Sequence, residues 1–416
     1  MKHLLIGVFA AIALIGSKVA LETTAIGHLA EAQTYGLLIR LLPTFTKEGP
    51  PVQVLDVSHL IGRVGEDGQK LIPTHRERLF DLLTVIAEQR PLAIGVDVDF
   101  SPTQKGWVSE QDPDFFERCQ ALAKKYDTPI FLGIYRTLRE QPEAWLGVSQ
   151  FQSMAAGLWL PRSAEPRLPV AFAPMRAGKT PSTGSEGDAE QWIPSLGAAL
   201  AGAVLGTAKG PPLIPPSAVE LESLQLIPIN FGGATLQVRN TMVDYSFLDQ
   251  IERESLRKVT PADVRKNADR IRNHVVLLGD TSREAGDRFP VPVGEEDRNG
   301  VFVHAALATS LVAHPLYEFK HSVRLAFDAA LSFIVIALVL VLSGRGAGAA
   351  EHAIEARVVS YVVIAVLLLG VTFVLTFRVV WLDFLLVVFF LAVHPTIETR
   401  LKRILSRLRS TRIGAA

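Results

Sequence analysis

The sequence predicts an α/β extracytoplasmic domain on a largely parallel sheet, carried by a transmembrane helix bundle with one helix before the domain and three after it. Three observations lead there. Short β-branched apolar runs alternate with amphipathic stretches, long apolar runs cluster at the two ends of the chain, and basic residues crowd its last segment. The 416 residues are 49% hydrophobic and 20% charged, with 42 Lys plus Arg against 42 Asp plus Glu. Such a chain is neither disordered nor broadly basic, which argues against nucleic-acid binding through a global positive field. Cys119 is the one cysteine, so an intrachain disulfide and a multi-cysteine zinc site are both excluded.

The membrane elements come first. Val358 to Phe377 carries no charge and is long enough to cross roughly 30 Å of hydrocarbon as a helix. Leu325 to Leu342, with Asp328 near its start, and Val379 to Val393, continuing to about Ile397 with Asp383, read as two further spans. Leu4 to Leu21 reads as an uncleaved anchor, because cutting after Ala20 would put Lys18 where a signal peptide needs a small residue. Arg400, Lys402, Arg403, Arg407, Arg409 and Arg412 follow the last span and place that end in the cytoplasm. Counting back puts the loop GRGAGAAEHAIEAR inside and a tight turn at Arg378 outside. It also puts Glu22 to Ser322 outside and Met1-Lys2 inside. The expected organisation is an anchor at 1–21, an extracytoplasmic domain at 22–322, three membrane helices at 323–397 and a basic tail at 398–416. A bacterial inner membrane is the expected location, with lipid as an obligatory partner.

Within the domain, VQVLDV (Val52 to Val57), LAIGVDV (Leu92 to Val98), PIFLGI (Pro129 to Ile134), LIPINF (Leu226 to Phe231) and HVVLLG (His274 to Gly279) suit strands buried on both faces. Arg76 to Gln89 aligns Leu79, Leu82, Leu83 and Ile86 on one helical stripe. Pro113 opens a second helix to about Lys125 behind a cap at Asp112. Short connections between strand and helix imply right-handed crossovers and a parallel sheet. Pro161 to Glu190 and Gly206 to Ser217 are rich in Pro, Gly and Ser, and read as surface excursions.

Most familiar chemistries lack their residues. APMRAGKT (Ala173 to Thr180) has the spacing of a relaxed phosphate-binding loop, with PVAF before it as a candidate strand, but PSTGSEGD follows where a helix is required. It reads as a loop. His59, His75, His304 and His314 are scattered without ligand spacing, and Ser58, Ser101 and Ser282 occupy no G-x-S-x-G elbow. Carboxylates remain. Asp56, Asp97, Asp99 and Asp280 fall at the C-terminal ends of expected parallel strands, the edge where open α/β sheets bind ligands. Together with Asp287 and Arg288 of the GDRFPVP segment they form the candidate ligand site. Converging carboxylates suit a divalent cation or a cationic ligand, Arg288 suits neutralising them or meeting an anion, and capping of loop amides is the structural alternative.

The stretches LAIGVDVDFSP, DPDFFERCQALAKKYDTPIFLG, HVVLLGDTSREAGDRFPVPVG and GVFVHAALATSLV resemble the type 2 CHASE sensory domain, an extracellular module of bacterial signalling proteins. The resemblance covers roughly Glu22 to Tyr317, and rests on the order and spacing of Asp97, Asp99, Gly279, Asp280, Gly286, Asp287, Arg288, Phe289, Pro290 and His304. The family plan of one helix before the domain and three after it matches the topology above. KLIPTHRER stands where the family has a tryptophan-rich turn, and the central Pro and Gly insertions are a second departure. The resemblance implies a sensory input of undefined ligand, without cofactor. About nineteen residues follow the last helix, so a separate effector protein is the expected output. A homo-oligomer is compatible with this reading. An extracytoplasmic metal-dependent hydrolase using the strand-end carboxylates, or a structural membrane subunit, are the alternatives.

The topology also places Lys18, Asp328 and Asp383 at similar depth near the outer leaflet, where charges are costly unless paired or solvated. Two readings stay open: snorkelling, with Asp328 bonded to Arg324, or an interhelical pair of Lys18 with Asp328 or Asp383 that couples entry and exit helices.

Overall fold

The computed structural model describes residues 16–21, 24–42, 51–62, 74–101, 109–135, 153–174, 193–206, 225–228, 235–283, 287–294, 296–318, 323–327, 329–330, 333–334 and 349–381. The chain divides into two compact units, Met1–Phe45 with Tyr317–Ala416, and Thr46–Leu316.

In the unit Thr46–Leu316, β1 (Val52–Asp56) is buried along its whole length, as expected of a strand with no polar face. α1 (Arg76–Glu88) buries the expected stripe of Leu79, Leu82, Leu83 and Ile86. β2 (Ala93–Val96) leads to α2 (Asp112–Tyr126), which buries Phe115, Phe116, Cys119 and Leu122. Asp112 is the first helical residue rather than the expected cap. Its Oδ2 accepts from the Ser109 amide at 3.0 Å while Oδ1 meets Arg76 Nε at 2.6 Å. The Arg76 guanidinium lies 4.5 Å from the Phe100 ring centroid, so a buried ion pair under an aromatic ring pins α1 to α2. β3 (Ile130–Ile134) and the short β4 (Ala155–Gly157) follow.

The middle of the chain corrects two expectations. Part of the expected surface excursion is β5 (Arg167–Pro174), and with β6 (Ile193–Pro194), β7 (Gln225–Pro228) and β8 (Thr235–Met242) it forms a second, antiparallel sheet in the order β6-β5-β8-β7. Leu226–Pro228, the described part of LIPINF, thus serves this sheet and not the parallel one. Pro169 is accommodated beside a slip of the β5–β8 register between Pro169 and Ala171, where the ladder does without an N–H. α3 (Leu196–Val204) begins on Ser195, whose hydroxyl accepts from the Ala198 amide at 3.4 Å.

After α4 (Leu248–Glu254) and α5 (Pro261–Lys266), β9 (Val275–Gly279) inserts between β1 and β2. The result is a wholly parallel sheet in the order β1-β9-β2-β3-β4. The hairpin of β10 (Arg288–Phe289) and β11 (Arg298–Asn299) then feeds α6 (Gly300–Val312), a helix buried almost all round. α1, α2 and α5 pack together on one face of the sheet, whereas α3 and α6 cover the other, with α4 beside α6 and β1. Gly279 permits the close approach of α6, since a Cβ there would stand 2.7 Å from Val301 Cγ2. The helices after β1 and β2 therefore lie on the opposite face from the helix after β9, and the chain diverges on both sides of the β9 C-terminus. Crevices open at such switch points.

In the other unit, the entry helix Ala25–Ile39 starts from Thr24, whose hydroxyl accepts from the Gly27 amide at 3.4 Å, and it buries Tyr35, Leu38 and Ile39. The long helix Ala349–Thr372 reaches nine residues further toward the N-terminus than Val358, so AAEHAIEAR, expected as loop, is helical; Ala and Glu favour this. A π-helical turn, Phe373–Phe377, ends it at Arg378, whose φ of 53° makes the tight turn expected there. Ser360–Phe377 is long and apolar enough to cross a membrane, and exposes Tyr361, Ile364, Leu368 and Phe377. The exit strand Tyr317–Glu318 pairs in parallel with a return strand, Val379–Val380. Lys18 is buried in the helical stretch 16–21. Asp328, Asp383, most of the expected span at Leu325 to Leu342, the span beyond Trp381, the APMRAGKT loop past Pro174 and the basic tail lie outside the described residues.

Candidate functional site

Three adjacent strands of the parallel sheet end alike. Asp56 as the last residue of β1, Asp99 beyond β2 and Asp280 beyond β9 each turn a carboxylate onto the amide two residues on, at Ser58 (3.0 Å), Ser101 (2.9 Å) and Ser282 (2.8 Å). The repeated Asp-x-Ser makes an Asx turn that redirects the chain at each strand end. Asp56 is fully engaged in this way. Burial opposes its charge, but the amides of Ser58, Lys258 and Thr281 and the Ser58 hydroxyl hold its pKa below the ordinary value of 3.8. Asp99 Oδ1 also accepts from the Tyr135 amide at 3.1 Å, tying β2 to the end of β3. Both carboxylates act as loop caps.

Asp97 differs. Its amide donates to the Leu278 carbonyl at 2.7 Å, continuing the β2–β9 ladder, and its Cβ stands 3.2 Å from where a side chain on Gly279 would begin. Among the described residues no donor reaches its carboxylate. Burial first, then the nearby charges of Asp287 and Asp280, push its pKa well above 3.8. Asp287 rests on the first turn of α6: its carbonyl accepts from the Gly300 amide at 3.0 Å, and its carboxylate fills the space a Cβ of Gly300 would take. Asp287 keeps residue surface exposed while protein atoms crowd its carboxyl. The crowding governs protonation because hydration is lost at the carboxyl itself. Its pKa is raised by burial, lowered by the cation of Arg162 and raised again by Asp280. Asp97, Asp280 and Asp287 are thus one electrostatic cluster at the β9 switch point.

Arg288 is engaged within its own hairpin. Its guanidinium donates to the Asp297 carbonyl within the β10–β11 hairpin, and its own carbonyl accepts from Arg162 Nη1 at 3.3 Å. Arg162, packed 4.7 Å over the Phe289 ring, is the cation that acts on Asp287. It lies in the stretch expected as an excursion, where nothing in the sequence pointed to the sheet edge. Asn299 closes the base of the site, donating to the carbonyls of Asp280 (3.1 Å) and Ser282 (2.8 Å). One turn along α6, His304 is buried, with Nδ1 unbonded among the described residues. Desolvation depresses its pKa to about 4 against a hydrogen bond with the Leu158 backbone, so it is neutral at pH 7. His59 and His75 are exposed, and His314 stacks on Phe247 at 4.5 Å. Burial pushes the Cys119 thiol up to about 12, which leaves it inert. Among the described residues no three His, Cys, Asp or Glu side chains are disposed to hold a metal ion.

The CHASE2 domain family model matches residues 8–344. The chain belongs to the CHASE2 domain family. CHASE2 is an extracellular sensor family and not a catalytic one, and its match spans the whole unit that carries the carboxylate cluster. No curated protein and no solved structure matches the chain.

Proposed function

We propose that this CHASE2 chain is a multi-pass membrane sensor of the bacterial inner membrane. In this reading the α/β domain faces outward and its cue is a small organic cation bearing an amine or guanidinium. The observation that carries it is the cluster of Asp97, Asp280 and Asp287 at the β9 switch point, with the cation of Arg162 acting on Asp287. An organic cation fits better than a metal ion, because amine donors satisfy carboxylates spread over a crevice whereas a metal demands close convergence. The apolar segments pass the signal to a separate partner at the cytoplasmic side, where the basic tail suits an acidic protein surface or anionic lipid.

The test uses the full chain in lipid nanodiscs, melted with spermidine, with arginine and with sodium chloride at matched ionic strength. Spermidine or arginine is expected to raise Tm beyond the salt control, and Asp97→Asn with Asp287→Asn to abolish the rise. Equal shifts with sodium chloride would end the cationic reading. Topology is checked by fusions: an export-dependent reporter is expected to be active after Gly206 and silent after Arg412.

A further inference from the structure

The chain re-enters its apolar unit at a point where several segments are fastened together. The exit strand Tyr317–Glu318 lies in parallel register with Val379–Val380, and the Tyr317 amide donates to the Arg378 carbonyl at 2.9 Å. Arg378 is the left-handed residue that closes the π-helical turn ending the long membrane helix. The exit strand is therefore hydrogen-bonded to the turn that follows that helix. A few residues on, Arg324 Nη1 stands 3.5 Å from Glu318 of the exit strand and 3.7 Å from Glu31 of the entry helix. All three side chains are largely buried, and neither Nε nor Nη1 of Arg324 makes a hydrogen bond among the described residues. Phe327 then packs 6.2 Å from Phe373 and 6.0 Å from Trp381, on either side of the same turn.

We propose that this node is the relay of the sensor: a displacement of the exit strand is transmitted to the end of the long membrane helix through the Tyr317–Val379 ladder, and to the entry helix through Arg324. The proposal rests on the sensor reading for its input, but its geometry stands apart from the carboxylate cluster. Two properties suit the part. A two-residue ladder is too short to be rigid by itself, so it follows the chain that leads into it. A buried guanidinium whose Nη1 stands 3.5 Å from one glutamate and 3.7 Å from another, without a hydrogen bond to either, can close on one or the other, which gives the node two arrangements. The connection runs through backbone and side chains at the outer end of the apolar segments, and needs no charge within the hydrocarbon.

A cysteine pair tests it. Partners in a parallel ladder lie about 4.8 Å apart, within disulfide range, so Tyr317→Cys with Val379→Cys is expected to cross-link in the full chain in nanodiscs. Amide exchange is then compared between the oxidised and reduced forms of that one protein. Closing the bond is expected to slow exchange in the last turn of α6, outside the apolar unit, by about fivefold or more. A pair that cross-links and leaves α6 unchanged, or never cross-links, overturns the relay. The Glu31→Gln and Arg324→Gln cycle on the melting of the full chain gives an independent reading. Non-additive shifts are expected, and strict additivity removes Arg324 as the tie to the entry helix. Loss of the spermidine response with the α6 effect intact would sink the cationic cue and leave the relay standing; the reverse result would sink the relay alone.

Discussion

The carboxylate of Asp287 occupies the place where a side chain on Gly300 would be, so the first turn of α6 is shaped around an acid. The helix N-terminus favours that charge, which offsets part of the crowding by Asp97 and Asp280. Gly300→Ala is expected to destabilise the α/β unit by about 1–3 kcal/mol, the usual cost of forcing a methyl group into filled space. Adding Asp287→Ala should recover part of that loss in urea denaturation. A Gly300→Ala protein as stable as the parent would show that the carboxylate swings clear.

Asp97 gives the opposite sign. Its folded carboxyl holds a proton more tightly than the unfolded one, whose pKa is 3.8, so its contribution to stability is fully present below pH 3.8 and is lost as pH rises through the raised folded value. Asp97→Asn removes the charge and should stabilise the protein at pH 7 by about 1 kcal/mol, with the gain shrinking toward pH 4. Thermal melts across that range decide it. A variant less stable than the parent at pH 7 would mean that the ionised carboxylate has a partner.

His304 acts on the acidic side. Its unfolded pKa of 6.5 falls to about 4 in the fold, so stability is lost as pH falls from 6.5 toward 4. The effect is on the order of 1–3 kcal/mol by the bottom of that window. His304→Gln should flatten the slope of stability against pH between 6.5 and 4. An unaltered slope would assign the acid sensitivity to other groups.

The pair Arg76–Asp112 is buried on both sides, and removing one partner strands the other. Asp112→Ala should cost about 3–5 kcal/mol, whereas Arg76→Met with Asp112→Leu should cost much less than the sum of the single changes. Additive losses in guanidinium unfolding would contradict the packing of α1 on α2.

Four strands of the parallel sheet were legible because their apolar β-branched runs bury both faces. β4 was not, since Ala-Ala-Gly carries no β-branched signal and owes its place to pairing with β3. In the antiparallel sheet, PVAF and LIPINF were legible as strands but their pairing with each other's neighbours was not, and Pro169, which the sequence presents as a breaker, lies beside a slip in register. α3 and α6 were obscure for another reason: a helix buried almost all round has no polar stripe to betray its period. Within the site, strand-end position was what marked Asp97 and Asp280, and the fold sets Asp280 near enough to act on the Asp97 charge. Position alone could not separate Asp97 from Asp56 and Asp99, which cap loop amides, although the recurring Asp-x-Ser was a local mark of that role. Arg162 reaches the site through the fold of the central region, which no spacing in the chain reveals.

The insertion of β9 between β1 and β2 has a consequence for biogenesis. Residues Val275–Gly279 are made more than 200 residues after Val52–Asp56, yet β1 has no partner in the parallel sheet until they arrive. During synthesis, β1 and the facing side of β2 are open strand edges for as long as the antiparallel sheet and α3 take to emerge. Pairings this distant in sequence form slowly, and unpaired apolar edges recruit one another between molecules. The α/β unit should therefore complete its sheet in one late step, and chains truncated before Val275 should aggregate or be degraded rather than accumulate as a smaller folded domain.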